Sequence, residues 1–370
     1  MSETASSRPE QSRLLDAARS QDEAAFQRLV EPYRSELHAH CYRMLGSAHD
    51  ADDALQDAML RAWRGLERFE GRSSLRSWLY RIATNTCLDL IGKRPKRVLP
   101  IDYGPTRDPH DGPGLPLAET TWVEPYPDDP LGVEDGLAAP EASFEQREAV
   151  ELAFTAALQN LPPNQRAALI LREVLGFSAK EVAAMLDASV ASINSALQRA
   201  RRTVDERLPE QSQQDTLRSL GDDGLREVVS GYVDAWDRGD IGAVVEMLTE
   251  DASFSMPPAP SWYRGHEELR EFLEVGPLSG AWRWRHVLVR ANGQPALAFY
   301  SWDEEEGAYL PFALNLLTIR DRRISDVTAF ICRTTDSGDP DAYARWPEHP
   351  MIERKRIDFF DRFGLPERLE

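Results

Sequence analysis

The sequence predicts a multidomain chain: two all-α blocks, the second with a helix-turn-helix, followed by an α+β domain of helices on a curved antiparallel sheet. Three observations predict it. Apolar residues recur at helical spacing through 14–97 and again through 142–208. Between these blocks, residues 98–141 hold nine prolines interleaved with Gly and Asp, a composition that builds no core and reads as a flexible linker. Beyond residue 250 the pattern becomes strand-like, in runs 252–256, 282–291, 295–302, 308–320 and 324–332. Asn292-Gly293 between two of them is a hairpin signal.

In the first block, Leu55, Met59, Ala62 and Leu66 mark one helix, and Leu75, Trp78, Leu79, Ile82 and Thr86 another. Helices resume at Ser143 and run to about Leu208, with Pro162-Pro163 at a helix start. Ser178 and Glu181 form a capping box opening a short helix. Leu186-Asp187-Ala188 is a tight turn, and Ser189 caps a second helix from Val190. Val190, Ile193, Leu197 and Ala200 are expected on its buried face, with Ser192, Asn194, Ser195, Gln198, Arg199 and Arg202 outward. Such a helix suits a major groove: neutral polar groups reach base edges and arginines reach phosphates. A polar joint, Pro209 to Asp223, leads to amphipathic helices around Leu225–Trp236 and Ile241–Leu248. The tail, 336–370, suggests a short helix near Ile352–Phe360.

At 370 residues the chain is long enough for two or three domains. Its net charge of −19 is segregated: residues 61–97 carry ten basic groups against three acidic, and 98–141 ten acidic against one basic. A local basic surface is what phosphate binding requires. No apolar run approaches a membrane span, and the polar N-terminus lacks the apolar core of a secretory signal. Cys41, Cys87 and Cys332 lie far apart, which suggests a reducing cytoplasm, no disulfide framework and no metal site.

Two stretches carry a resemblance to a known family. One is Asp50-Ala-Asp-Asp-Ala-Leu-Gln-Asp-Ala-Met-Leu-Arg-Ala-Trp63, with Phe69-Glu-Gly-Arg-Ser-Ser-Leu-Arg-Ser-Trp-Leu-Tyr-Arg-Ile-Ala-Thr-Asn-Thr-Cys-Leu-Asp-Leu90 after it. The other is Leu161-Pro-Pro-Asn-Gln-Arg-Ala-Ala-Leu-Ile-Leu-Arg-Glu-Val-Leu-Gly-Phe177, running into the helix-turn-helix. Together they resemble an extracytoplasmic-function (ECF) sigma factor of the sigma-70 family of bacterial RNA polymerase. The resemblance makes 14–97 sigma domain 2, 98–141 the linker and 142–208 sigma domain 4. Residues 221–335 resemble a SnoaL-like domain of the NTF2-like cone fold, through Tyr232-Val-Asp-Ala-Trp-Asp-Arg-Gly-Asp240, Met256-Pro-Pro258, Trp262-Tyr-Arg-Gly265 and Arg290-Ala-Asn-Gly-Gln-Pro-Ala296. Sigma factors with this extension, of the SigG or SigJ type, form a subgroup.

The resemblance implies the partners: core RNA polymerase, through its β′ clamp helices and β flap, and promoter DNA. It implies a clamp-docking face of Asp50, Asp53, Gln56, Asp57 and Arg61. Capture of melted −10 bases falls to Phe69, Arg72, Ser73, Ser74, Arg76, Trp78, Arg81 and Asn85, where aromatics among arginines suit stacking combined with phosphate contact. Reading of the −35 element falls to Ser189, Ser192, Asn194, Ser195, Gln198, Arg199 and Arg202. The chain departs from the family at Asn194 and Ala196, where members often carry a basic residue; autonomous DNA binding is accordingly expected to be weak.

In the α+β region, Trp236, Phe254, Met256, Trp262, Trp284 and Tyr300 are expected around a pocket, with His266 and Asn315 among its polar groups. No acid–base pair stands out, so no catalytic residue and no cofactor are assigned. The region is expected to regulate in cis, with a small-molecule ligand or a regulatory protein as its partner. Two alternatives stay open: a stand-alone transcription factor, and a DNA-binding protein fused to a catalytically active cyclase- or hydrolase-like domain.

Overall fold

The computed structural model describes residues 4–94, 96–112, 114, 121–128, 150–209, 211–332 and 360–370. These fall in two compact units, one within Met1–Lys96 and Ala157–Arg207, the other within Arg97–Asp129, Val133–Ala156 and Leu208–Glu370. The two helical blocks therefore share one unit, where the sequence suggested two. The expected tail helix lies outside the described residues except for Phe360, and so do residues 113, 115–120 and 129–141 of the linker and the expected helix start at 142–149.

The first unit opens with helices α1 (Thr4–Arg19), α2 (Glu23–Leu45), α3 (Ala48–Gly65) and α4 (Leu75–Ile91). Each boundary is written in local chemistry. Asp22 and Ser47 cap α2 and α3, and Gly46, at φ +71°, lets the chain leave α2 through the left-handed region. Ala51, Ala54, Ala58 and Ala62 are fully buried on α3, so the small side chains admit close packing on α2 and α4.

The second block follows as α7 (Pro163–Leu169), a π-helical stretch at Ile170–Val174, α8 (Ala179–Met185) and α9 (Val190–Asp205); α5 (Pro100–Tyr103) and α6 (Leu152–Gln159) precede them. The Ser178–Glu181 capping box is complete, and Ser189 caps α9 through the Ser192 N–H. Asp187, at φ +50°, makes the turn between the two helices. Val190 is 42% exposed rather than buried: as the first residue of α9 it precedes the turn that packs inward.

One buried knot ties the blocks together. The Arg166 guanidinium donates to the Met44 carbonyl (2.5 Å), to Gln159 Oε1 (2.5 Å) and to the Gln159 carbonyl (3.0 Å), while Gln159 Nε2 donates to the Arg43 carbonyl (3.1 Å). Burial lowers the Arg166 pKa to about 10. Its oxygen partners satisfy the two terminal nitrogens that burial strips of water, while Nε is left unpaired.

The second unit is built on a six-stranded sheet of order β2-β1-β6-β5-β4-β3, with β1 Leu248–Ser255, β2 Trp262–Arg264, β3 Trp284–Ala291, β4 Gln294–Asp303, β5 Ala308–Arg320 and β6 Arg323–Ile331. β1 and β6 are parallel; the other pairs are antiparallel. Asn292 and Gly293 both take positive φ, as a tight two-residue hairpin requires. Register shifts at Phe299/Tyr300 and Thr318/Ile319 accompany the curvature. Helices α10 (Gln213–Asp237), α11 (Ile241–Glu246) and α12 (Gly265–Val275) complete the unit. Val228, Tyr232, Val245 and Leu269 from these helices share a core with Leu297, Phe299 and Leu317 of the sheet. The expected joint 209–223 is largely helical, since α10 begins at Gln213 and only breaks at Gly221 (φ +66°).

The other side of the sheet is covered by residues whose composition suggests a flexible linker. Val98 and Trp122 form a bridge, Tyr126 N–H donates to Asn292 Oδ1 (2.8 Å), and Asn292 N–H donates back to the Tyr126 carbonyl (2.8 Å). Asp128 accepts from the Gly293 N–H (2.8 Å) and pairs with Arg290 (3.2 Å). Val123, Leu152, Phe360 and Phe363 pack with Ala298, Tyr300 and Leu314 in a second core. The linker composition builds no core of its own, yet it supplies apolar residues to one built on the sheet. No described helix is long and apolar enough to cross a membrane.

Candidate functional site

On α3, the face expected to dock a partner loses one member. Asp50 is 3% exposed and paired with Arg94, because its position in the first turn turns its carboxylate back toward that guanidinium. Asp53 and Gln56 are exposed, while Asp57 is half-buried and pairs with Arg61 (2.9 Å), which also reaches Asp89 (2.9 Å). These pairs hold the Arg61 pKa above its ordinary value, the Asp89 hydrogen bond contributing most. Leu60, one turn beyond Gln56, is 45% exposed and adds an apolar knob to the strip. Sequence reasoning missed it, since a Leu in an amphipathic pattern reads as core.

On α4, Trp78, Arg81 and Asn85 follow at spacings of three and four, so they share a face. Arg81 and Asn85 are exposed and Trp78 half-buried. In the preceding loop, Arg72, Ser73 and Ser74 are exposed, and Ser74 also caps α4 through the Ser77 N–H (3.0 Å). Among the described residues Arg72 pairs with its exposed neighbour Glu70 alone. Two expected contacts are corrected. Phe69 is buried against Trp78, ring centroids 4.9 Å apart, so its face is already occupied. Arg76 lies over the rings of Tyr80 (5.0 Å) and Phe177 (4.6 Å) and reaches Glu36 (3.5 Å) and the Leu175 carbonyl (3.4 Å), which makes it a packing residue.

On α9, Ser192, Asn194, Ser195, Gln198, Arg199 and Arg202 are all exposed, over a helix whose Ile193, Leu197, Ala200 and Val204 are buried. Ser189 is exposed too, its oxygen engaged as the cap. Asn194, Gln198 and Arg202 border a groove of about 670 Å³ together with Arg172 and Arg201. Arg201, not picked out from sequence, pairs with Glu173 (2.7 Å). The site thus offers two amides for base edges with guanidiniums beside them.

The second unit holds a cavity of about 260 Å³. Trp236, Phe254, Met256, Trp284 and Asn315 line it, as do Trp282, Phe299 and Phe312. Three expected lining residues are placed elsewhere. Trp262 donates its indole N–H to the Gly104 carbonyl (2.8 Å), which holds it in the wall against the linker strap. His266 lies by the Leu248 carbonyl (3.3 Å) at the start of α12. Tyr300 points to the sheet's other side, donating to the Pro366 carbonyl (2.9 Å), because neighbours along a strand alternate faces. His286 bonds Asp237 (3.0 Å) and packs on Phe299, and burial lowers its pKa, which keeps the ring neutral. No Asp, Glu, His, Lys or Arg is among the lining residues.

Comparison with known proteins follows this division. Residues 29–97 match the model for Sigma-70 region 2, 145–204 that for Sigma-70 region 4, and 229–327 that for the SnoaL-like domain. The chain is 42% identical over 342 residues to the ECF RNA polymerase sigma factor SigG of Mycobacterium tuberculosis, covering 92% of this chain and 84% of that one. It is 28% identical over 198 residues to the ECF RNA polymerase sigma-E factor of Escherichia coli, covering 53% of this chain and 92% of that one. Among solved structures it is similar to the extracytoplasmic function sigma factor SigJ of Mycobacterium tuberculosis, at a TM-score of 0.49 and 22% identity, covering 86% of this chain and 97% of that one.

Proposed function

The chain belongs to the ECF RNA polymerase sigma factors, and from that premise we propose which of its surfaces meets polymerase, which the −10 element and which the −35. As a member of that family it directs core polymerase to promoters and starts transcription there. The face of α3 bearing Asp53, Gln56, Leu60 and Arg61 docks on the polymerase clamp. The loop at Arg72–Ser74 and the face of α4 bearing Trp78, Arg81 and Asn85 take up the melted −10 strand. Asn194 and Gln198 read −35 base edges, while Arg199, Arg201 and Arg202 hold phosphates.

The observation that carries this reading is the pair of polar faces, Trp78–Arg81–Asn85 and Asn194–Gln198–Arg202, left open on helices whose opposite sides are buried. In vitro transcription with core polymerase tests it. Promoter-dependent transcripts are expected with the intact chain and not with Arg81→Ala/Asn85→Ala. Equal transcription from both would overturn the −10 assignment.

The α+β unit acts in cis as a regulator. What supports this is the strap: the described residues between 97 and 128, in the chain joining the two DNA-facing blocks, are part of that unit, held at Tyr126–Asn292 and Asp128–Arg290. A linker tied to a sheet has less free length, and the effective concentration of one block near the other depends on that length. We infer that the unit binds rather than catalyses: no Asp, Glu, His, Lys or Arg is among the described lining residues, and burial raises the pKa of the one phenol there, Tyr263, which keeps it protonated.

A further inference from the structure

Two polar atoms bordering the aromatic cavity are left without partners. Asn315, on β5, is 3% exposed, and its Oδ1 has no hydrogen-bond partner. Trp236, on α10, is equally buried, and its indole N–H is also unpaired. A buried acceptor left unpaired costs free energy unless something donates to it. The remaining wall is aromatic: Trp282 and Trp284 stack at 5.0 Å and 12°, and both meet the Phe312 ring edge-on. Pro109 and Gly112 of the strap also line the cavity.

We propose that this cavity binds a small, neutral, planar molecule carrying a hydroxyl-type donor, with the rings stacking on its body and Asn315 Oδ1 accepting its hydrogen bond. Neutrality follows from the lining, which offers no counter-charge, so a buried ion would go unpaired. Size follows from the volume, which lies just below the roughly 300–1,000 Å³ of drug-sized sites and suits one or two fused rings. Planarity follows from the stacked tryptophans. Because Pro109 and Gly112 belong to the strap, an occupied cavity bears on the segment joining the two DNA-facing blocks. That last consequence rests on the in-cis reading above; the binding site does not.

The test is calorimetric titration of the full chain with three probes: 2-naphthol, 2-methoxynaphthalene, which has no donor, and 2-naphthoate, which is charged. The expected result is saturable one-to-one binding of 2-naphthol, about tenfold tighter than either of the others, as one hydrogen bond to a buried neutral group allows. Asn315→Leu should remove that preference, and Ala329→Phe, which fills the cavity, should abolish binding. If Asn315→Leu does not fold, the comparison of the three probes on the intact chain decides. No saturable binding of 2-naphthol, or equal binding of the hydroxyl and methoxy probes, would overturn the proposal. Adding 2-naphthol to transcription reactions reads the other link: binding without any effect on transcript yield would remove the in-cis reading and leave the site standing.

Discussion

The guanidinium carbon of Arg76 lies 4.6 Å from the centre of the Phe177 ring, which joins the helix proposed to bear the −10 face to the residue just ahead of the helix-turn-helix. Tyr80 closes the stack from the other side, at 5.0 Å from the same carbon. Burial and the neighbouring Glu36 raise the Tyr80 pKa, so its hydroxyl stays protonated and donates to Glu36 (3.1 Å). An arginine that basic patterning assigns to DNA is thereby spent on packing.

Arg76→Ala is therefore expected to act on stability first. A partly exposed cation–π contact contributes on the order of 1 kcal/mol, so the urea midpoint should fall by a corresponding amount. The salt dependence of promoter binding should be unaltered, because no phosphate contact is lost. A changed salt slope with an unchanged midpoint would return Arg76 to the DNA face.

Arg72→Ala and Arg81→Ala should behave in the opposite way. Arg72 pairs with an exposed carboxylate, and such pairs contribute little to folding. Both variants should assemble with core polymerase normally and open promoters poorly. Permanganate reactivity of −10 thymines should drop several-fold, and unchanged reactivity would count against the assignment. Trp78→Ala is a poorer probe, since Trp78 also packs on Phe69.

On α9, Asn194→Ala or Gln198→Ala should change which −35 sequences are used, each bidentate amide being worth about 1–3 kcal/mol of discrimination. Arg199→Ala and Arg201→Ala should weaken use of all −35 sequences alike and lower the salt slope by about one. Arg201 should show the smaller effect, because Glu173 already competes for it. A promoter library read by sequencing separates the patterns; uniform loss in all four variants would sink the division of roles.

The helix-turn-helix was legible because its signals are local: Ser178, Glu181 and Ser189 each cap a helix within three residues. The Asn292-Gly293 hairpin was legible for the same reason. Its use as the strap's docking post was not, because Tyr126 meets Asn292 across 166 positions and nothing in either neighbourhood announces the other. The same holds for Asp50. Helical spacing sets it beside Asp53 and Asp57, and only the tertiary structure brings up Arg94 to bury it. Five of the eight expected cavity residues line the cavity; Tyr300 was misplaced because a composition argument does not say which face of a strand an aromatic takes.

The first unit should be sensitive to mild acid through His40. Its ring is fully buried, and Nε2 lies 2.9 Å from Thr84 Oγ1, whose own proton goes to the Tyr80 carbonyl (2.7 Å). His40 is therefore the donor, and Nδ1 is left bare. Burial, reinforced by Arg43, lowers its pKa to about 3. The folded state refuses a proton that the unfolded chain accepts near pH 6.5, so stability is full above that value. It falls by about 1.4 kcal/mol per pH unit as the pH drops from 6.5 towards 3. Urea titrations at pH 7.5, 6 and 5 should show this slope in the native chain and a flatter one in His40→Gln. Parallel curves would refute it.

Cutting the chain after Leu208 tests the strap. The cut falls ahead of α10, which begins at Gln213, and removes the whole sheet while leaving 97–128 in place. Trp122, Val123 and Tyr126, all buried in the intact chain, then lose the surface that covers them. The shortened chain should still assemble with core polymerase, since α3, α4 and α9 are complete without the sheet. Limited proteolysis should cut within 97–128 in the shortened chain and leave that segment intact in the full one. Transcript yield should change as well. The expected direction is upward, because freeing the linker removes the sheet's restraint and leaves the Arg166–Gln159 knot as the tie that polymerase must open to set the proposed −10 and −35 faces a promoter's distance apart. Protection of 97–128 without the sheet would refute the strap as a tether, and an unaltered yield with a freed strap would refute its regulatory role.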